Sequence, residues 1–82
     1  MDKVDNLRKQ IDILDVELMK LLNKRYDMSK KIGEIKLNSK KEILDQSRED
    51  HVLDKIRRYS HSNQIESVYK TIMNESKKIQ KR

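Results

Sequence analysis

The chain has no cysteine, no proline, no tryptophan and no phenylalanine, and Gly33 is its only glycine. Without cysteine there is no disulfide to brace the fold and no thiolate metal site. Two histidines, His51 and His61, are too few and too far apart for a ligand cluster. The near absence of glycine and proline removes the turn punctuation that a many-stranded β fold requires. No apolar run approaches the ~20 residues of a membrane span. The opening MDKVDNLRKQ lacks the apolar stretch of a signal peptide. A cytoplasmic, all-α protein with no membrane association, no cofactor and no metal is the expectation.

What is present narrows this further. Eighty-two residues allow one domain, spanning 1–82, with a thin core. With no disulfide or metal available, association with another chain is the remaining way to gain burial. Twenty basic residues against 14 acidic ones give a net charge of +6. That excess favours anionic partners: nucleic acid, an acidic membrane surface or a small polyanion. The positive charge is spread along the chain with acids interleaved, and three tyrosines are the only aromatics. Both features argue against a nucleic-acid binder.

Periodicity predicts three helices. The first runs from about Val4 to Leu37, with a stripe of Val4, Leu7, Ile11, Leu14, Leu18, Leu21, position 25, Met28, Ile32 and Ile35. The steps alternate three and four without a slip, a heptad pattern. At ~1.5 Å per residue such a helix is roughly 50 Å long, too long for a compact chain of this size. Much of the stripe is therefore expected to face a second copy. A break is expected at Asn38 to Ile43, then an N-cap at Asp45. The second helix is expected to reach about Tyr59, with Val52, Ile56 and Tyr59 inward. Ser62 or Asn63 caps the third helix, whose inner row is Ile65, Val68/Tyr69, Ile72 and Met73. Gly33 reads only as a small cost in helix propensity.

The informative residues are polar ones where the stripes ask for apolar ones. Arg25 sits at a heptad core position, so its charge is paired with a carboxylate, snorkels outward, or binds something. Asp45, Arg48 and Glu49 share the face of Val52 and Ile56; they are either a capped, acidic first turn or part of a site. The inner row of the third helix arrives at Ser76 and Gln80, which are either satisfied core polar groups, the end of a helix, or ligands. Arg8 and Lys36 share one heptad position, four heptads apart, and flank the stripe. Taken together, all three helices direct polar groups inward at one end of their stripes. A pocket lined by cations, carboxylates, a hydroxyl and an amide follows, and arginine's fork suits carboxylate recognition.

These residues fall in five stretches: Leu7-Arg8-Lys9-Gln10-Ile11-Asp12 with Leu14-Asp15; Leu21-Leu22-Asn23-Lys24-Arg25; Ile32-Gly33-Glu34-Ile35-Lys36; Asp45-Gln46-Ser47-Arg48-Glu49; and Glu75-Ser76 with Gln80. In that order and spacing the chain resembles the all-α chorismate mutases. The resemblance implies an intertwined homodimer of three-helix chains sharing a long first helix. It places the binding site on Arg8, Arg25, Lys36, Asp45, Arg48, Glu49, Ser76 and Gln80. In that arrangement Arg8 reaches the pocket of the partner. The separation of Arg8 and Arg25, ~25 Å along one helix, is too large for both to grip one small dianion from the same chain.

The implied reaction, chorismate to prephenate in phenylalanine and tyrosine biosynthesis, is a unimolecular rearrangement that needs no proton shuttle and no covalent intermediate. The absence of a nucleophile–His arrangement is consistent with it. By resemblance, Arg25 and the partner's Arg8 hold the two carboxylates with help from Ser76. Lys36 and Gln80 donate to the ether oxygen, Glu49 accepts from the ring hydroxyl, and Asp45 and Arg48 complete the pocket wall. Two rivals stand beside this reading. One is an isochorismate pyruvate lyase on the same scaffold; the other is a non-enzymatic helical dimerisation module.

Overall fold

The computed structural model describes residues 2–39 and 42–81. Among them there are three helices and no strand: α1 (Lys3–Ser39), α2 (Gln46–Ile56) and α3 (Ser62–Gln80). None is long and apolar enough to cross a membrane.

Helix α1 begins on a cap the hydrophobic pattern does not reveal. Asp2 Oδ1 accepts from the N–H groups of Val4 (2.6 Å) and Asp5 (3.2 Å), satisfying two orphan donors of the first turn. At its other end Ser39 Oγ donates back to the Ile35 carbonyl at 2.9 Å. Asn38 and Ser39 are thus helical rather than part of the expected break, and Lys40 and Lys41 lie outside the described residues. Asp45 caps α2 from an extended conformation, its Oδ1 accepting from the Arg48 N–H at 3.0 Å.

Helix α2 stops earlier than its apolar pattern suggests. Past Ile56, the N–H of Arg58 donates to Lys55 O, that of Tyr59 to Ile56 O, and that of Ser62 to Tyr59 O. These i→i−3 bonds tighten the chain into successive turns. Tyr59 therefore leaves the inner face and is exposed. Helix α3 starts at Ser62, with His61 at the cap position and no side-chain cap, so neither Ser62 nor Asn63 plays the capping part.

The core is small. Val52 and Ile56 of α2 meet Ile72 and Met73 of α3, and Ser29, Gly33 and Ser76 are the other buried residues among those described. Helix α3 packs against both α1 and α2; among the described residues, α1 and α2 do not pack on each other. The inner row of α3 runs through Ile65, Tyr69, Ile72, Met73, Ser76 and Gln80, and Val68 lies outside it, exposed.

The face of α1 turned to α3 is Leu22, Tyr26, Ser29, Gly33 and Lys36, one position round from the large apolar stripe, with Arg25 joining it from the stripe itself. Gly33 explains why small residues belong there. A Cβ built on it would lie 2.6 Å from both Cα and O of Gln80. The obstacle is backbone, which cannot swing aside. Gly33→Ala gains up to ~1 kcal/mol of helix propensity, against a steric cost of typically 1–3 kcal/mol for an overpacked site. Net destabilisation is expected in denaturant unfolding at fixed protein concentration, and a variant more stable than the parent would contradict this packing.

Outside Met28 and Ile32, the large stripe is left exposed by the described residues. Val4, Leu7, Ile11, Leu14, Leu18, Leu21 and Ile35 keep between 51% and 65% of their surface. The radius of gyration is 16.1 Å and the longest dimension 57 Å, where a compact chain of this length has a radius near ~12 Å. The accessible surface, 7314 Å², exceeds the roughly 5,200 Å² of a compact monomer of this mass by about 2,100 Å².

Candidate active site

A cavity of about 370 Å³ opens between the C-terminal half of α1, the start of α2 and the C-terminal half of α3. Its apolar lining is Met28, Ile32, Ile43, Val52 and Met73. Into it come Arg25 and Lys36 from α1, Asp45, Arg48 and Glu49 from the capped start of α2, and Ser76, Lys77 and Gln80 from α3. Its size falls in the range of small-molecule sites, roughly 300–1,000 Å³. Seven of the eight residues singled out in the sequence thus line one cavity. Arg8, far along the exposed half of α1, does not line it.

Arg25 is half-buried. Its Nη1 donates to Ser76 Oγ at 2.9 Å, and its guanidinium lies 5.8 Å from the centre of the Tyr69 ring, within cation–π reach. Ser76 Oγ in turn donates to the Ile72 carbonyl at 2.8 Å. That bond commits the hydroxyl hydrogen and leaves the oxygen as an acceptor for Arg25. Among the described residues no carboxylate lies within ion-pairing distance of Arg25. It is therefore neither a structural Arg paired with a carboxylate nor one snorkelling into water. A half-buried charge with a neutral partner is poised for an anion.

Lys36 is likewise half-buried and bonded to a neutral group: its Nζ donates to the Ile43 carbonyl at 3.0 Å. An ammonium has three donors, so two remain. Arg48 is exposed at the rim. Asp45 both caps α2 and lines the cavity, so its structural and site readings coexist. Glu49 sits in the first turn of α2, where the helix dipole favours a carboxylate. Its Oε2 lies 3.1 Å from Lys77 Nζ.

Gln80 ends α3 with its side chain on the cavity, and its carboxamide oxygen is buried without a hydrogen-bond partner. A buried orphan of this kind costs roughly 1–3 kcal/mol, and such groups cluster at functional sites. The amide is not committed to the scaffold, and rotating it by half a turn exchanges oxygen for N–H₂.

Two polar lining residues, Ser29 and Lys77, are not among those the sequence singles out. Ser29 is too small to register in a hydrophobic pattern. Lys77 reads as half of a solvated Lys77-Lys78 pair, yet Met73, Lys77 and Gln80 are spaced i, i+4, i+7, the spacing of one helix face.

Comparison with known proteins gives a consistent result. The sequence model of the family described as Chorismate mutase type II matches residues 7–81. A bifunctional chorismate mutase/prephenate dehydratase of Aquifex aeolicus (strain VF5) is 41% identical over 58 residues, 71% of this chain and 16% of that protein. A chorismate mutase of Methanocaldococcus jannaschii is 27% identical over 86 residues, 99% of this chain and 87% of the relative. An intracellular chorismate mutase of Mycobacterium tuberculosis (strain ATCC 25618 / H37Rv) is 38% identical over 53 residues, 65% of this chain and half of that protein. The match thus spans about a sixth of the Aquifex protein and most of the Methanocaldococcus one.

Proposed function

The chain belongs to the chorismate mutase type II family, and from that premise we propose that it rearranges chorismate to prephenate in a pocket completed by a second copy of itself. One observation carries the reading: half-buried Arg25 and Lys36 face a cavity with only neutral partners among the described residues, which suits a dianionic guest.

The reaction has one reactant and no external proton. Its barrier is lowered by folding the enolpyruvyl arm over the ring, which is orientation, and by placing donors where charge grows on the breaking ether bond, which is preorganised electrostatics. A ~10⁶-fold acceleration asks for ~8 kcal/mol, within the combined reach of these effects. Arg25 holds one carboxylate as a fork, with Ser76 fixing its orientation. Lys36 and the Gln80 amide donate to the ether oxygen. Glu49 accepts from the ring hydroxyl. Asp45 and Arg48 close the rim.

The partner's Arg8 supplies the cation for the second carboxylate, because within this pocket Lys36 serves the ether oxygen, Arg48 stands exposed at the rim and Lys77 is paired with Glu49. The unpartnered α1 stripe supports this. Covering about 2,100 Å² on each of two chains buries some 4,000 Å² in total, in the range of obligate dimers, roughly 2,000–5,000 Å². An intertwined pair of long α1 helices is the arrangement that the exposed stripe and the 57 Å length favour.

The test is to give purified protein chorismate and isochorismate separately. Prephenate from chorismate, with isochorismate untouched, is the expected result. Salicylate and pyruvate from isochorismate would make the protein a lyase. Inertness toward both would leave a helical assembly module.

A further inference from the structure

We propose that Lys77 is a positioning residue for Glu49, a role that rests on reading the pocket as a chorismate site. Lys77 Nζ lies 3.1 Å from Glu49 Oε2, with the two side chains 29% and 21% exposed. The neighbouring Lys78–Glu75 pair, 67% and 48% exposed, is an ordinary surface pair of small consequence. The Lys77–Glu49 pair differs in two ways. It is shielded, and it joins α3 to α2 across the cavity that both residues line.

The cavity's own charges show what this pair does. Arg25, Lys36, Arg48 and Lys77 face Asp45 and Glu49, four cations against two carboxylates, so this chain's share of the pocket is net positive and favours a dianion. A carboxylate beside a dianion is repelled unless a cation stands next to it. Arg25 and Lys36 are held by a hydroxyl and a carbonyl and stay available to the guest. Lys77 is the cavity cation spent on one of the protein's own carboxylates. Holding Oε2, it leaves Oε1 to accept the ring hydroxyl and keeps Glu49 from swinging toward Arg48 or out to water. The hydroxyl contact, and with it selection for a hydroxylated ring, thus depends on a residue that touches Glu49 rather than the substrate.

A kinetic double-mutant cycle on the full chain tests this. Lys77→Met is expected to lower kcat/KM for chorismate about tenfold, and Lys77→Arg, which keeps the charge, to restore it to within about threefold. In a Glu49→Gln background, Lys77→Met should cost less than about twofold, because the carboxylate it positions is gone. Lys77→Gln repeats the cycle if the methionine variant does not fold. An equal loss in both backgrounds, or none in the parent, overturns the role while parent activity leaves the chorismate reading standing. A parent chain inert toward chorismate overturns both together.

Discussion

Lys36→Ala is expected to lower kcat about 10²–10³-fold, the usual loss when one preorganised donor to a developing oxyanion is removed, about 2.7–4 kcal/mol. The side chain is half-buried at the cavity edge, and among the described residues its one hydrogen bond is to the Ile43 carbonyl. Charge accumulates on the ether oxygen only as the bond breaks, so KM should move much less than kcat. The fold should tolerate the change, because Lys36 lies off the apolar stripe and the Ile43 carbonyl, half-buried in a loop, can be hydrated. Steady-state kinetics beside sedimentation of the same sample checks both parts. Unchanged turnover, or loss of turnover that tracks dissociation, would remove Lys36 from the proposed chemistry.

Mixing two inactive variants should restore activity. Arg25→Ala removes the fork inside the cavity and Arg8→Ala the cation proposed to enter from the partner. Each alone is expected to cut kcat/KM by at least about 10²-fold, the scale of a lost charge-assisted carboxylate clamp. The two arginines are 17 residues apart on one continuous helix, ~25 Å by the helical rise. In a mixed dimer, one pocket combines the intact Arg25 of the first chain with the intact Arg8 of the second, and the other pocket lacks both. Random reassortment makes half the dimers mixed, each with one working site, so about a quarter of the parent activity should return. Subunit exchange followed by assay measures this. No recovery in a mixture shown to contain mixed dimers would confine both arginines to one chain's pocket and dismantle the shared-site proposal.

The sequence made the three helices and the polar end of the bundle visible for one physical reason. A charged or amide side chain at a core position of a heptad breaks a pattern that packing energetics otherwise enforces. Arg25 announces itself this way in the first helix, and Glu49, Ser76 and Gln80 do so as polar residues on the inward faces of the other two; all line the same cavity. Small or ambiguous residues carry no such signal. Ser29 and Gly33 are buried on the face of α1 turned to α3, yet neither adds to a hydrophobic pattern. The large stripe marks the face that α3 leaves open, so most of the apolar signal of α1 describes a surface that the described residues do not cover. The end of α2 was obscured because no glycine or proline marks Arg57 to Tyr59. Only the i→i−3 bonds reveal the turn. Lys77 was hidden by its neighbour Lys78, since two adjacent lysines look alike until a backbone assigns them to different faces.

A calorimetric titration with a rigid bicyclic ether dicarboxylate, shaped like chorismate folded midway through rearrangement, addresses the central claim most directly. A pocket built around the transition state should bind one such molecule per chain, at least about 10²-fold more tightly than it binds chorismate, and Lys36→Ala should lose most of that advantage. A flat titration, or binding no tighter than that of a flexible dicarboxylate of equal charge, would contradict the claim that these three helices enclose a folded dianion.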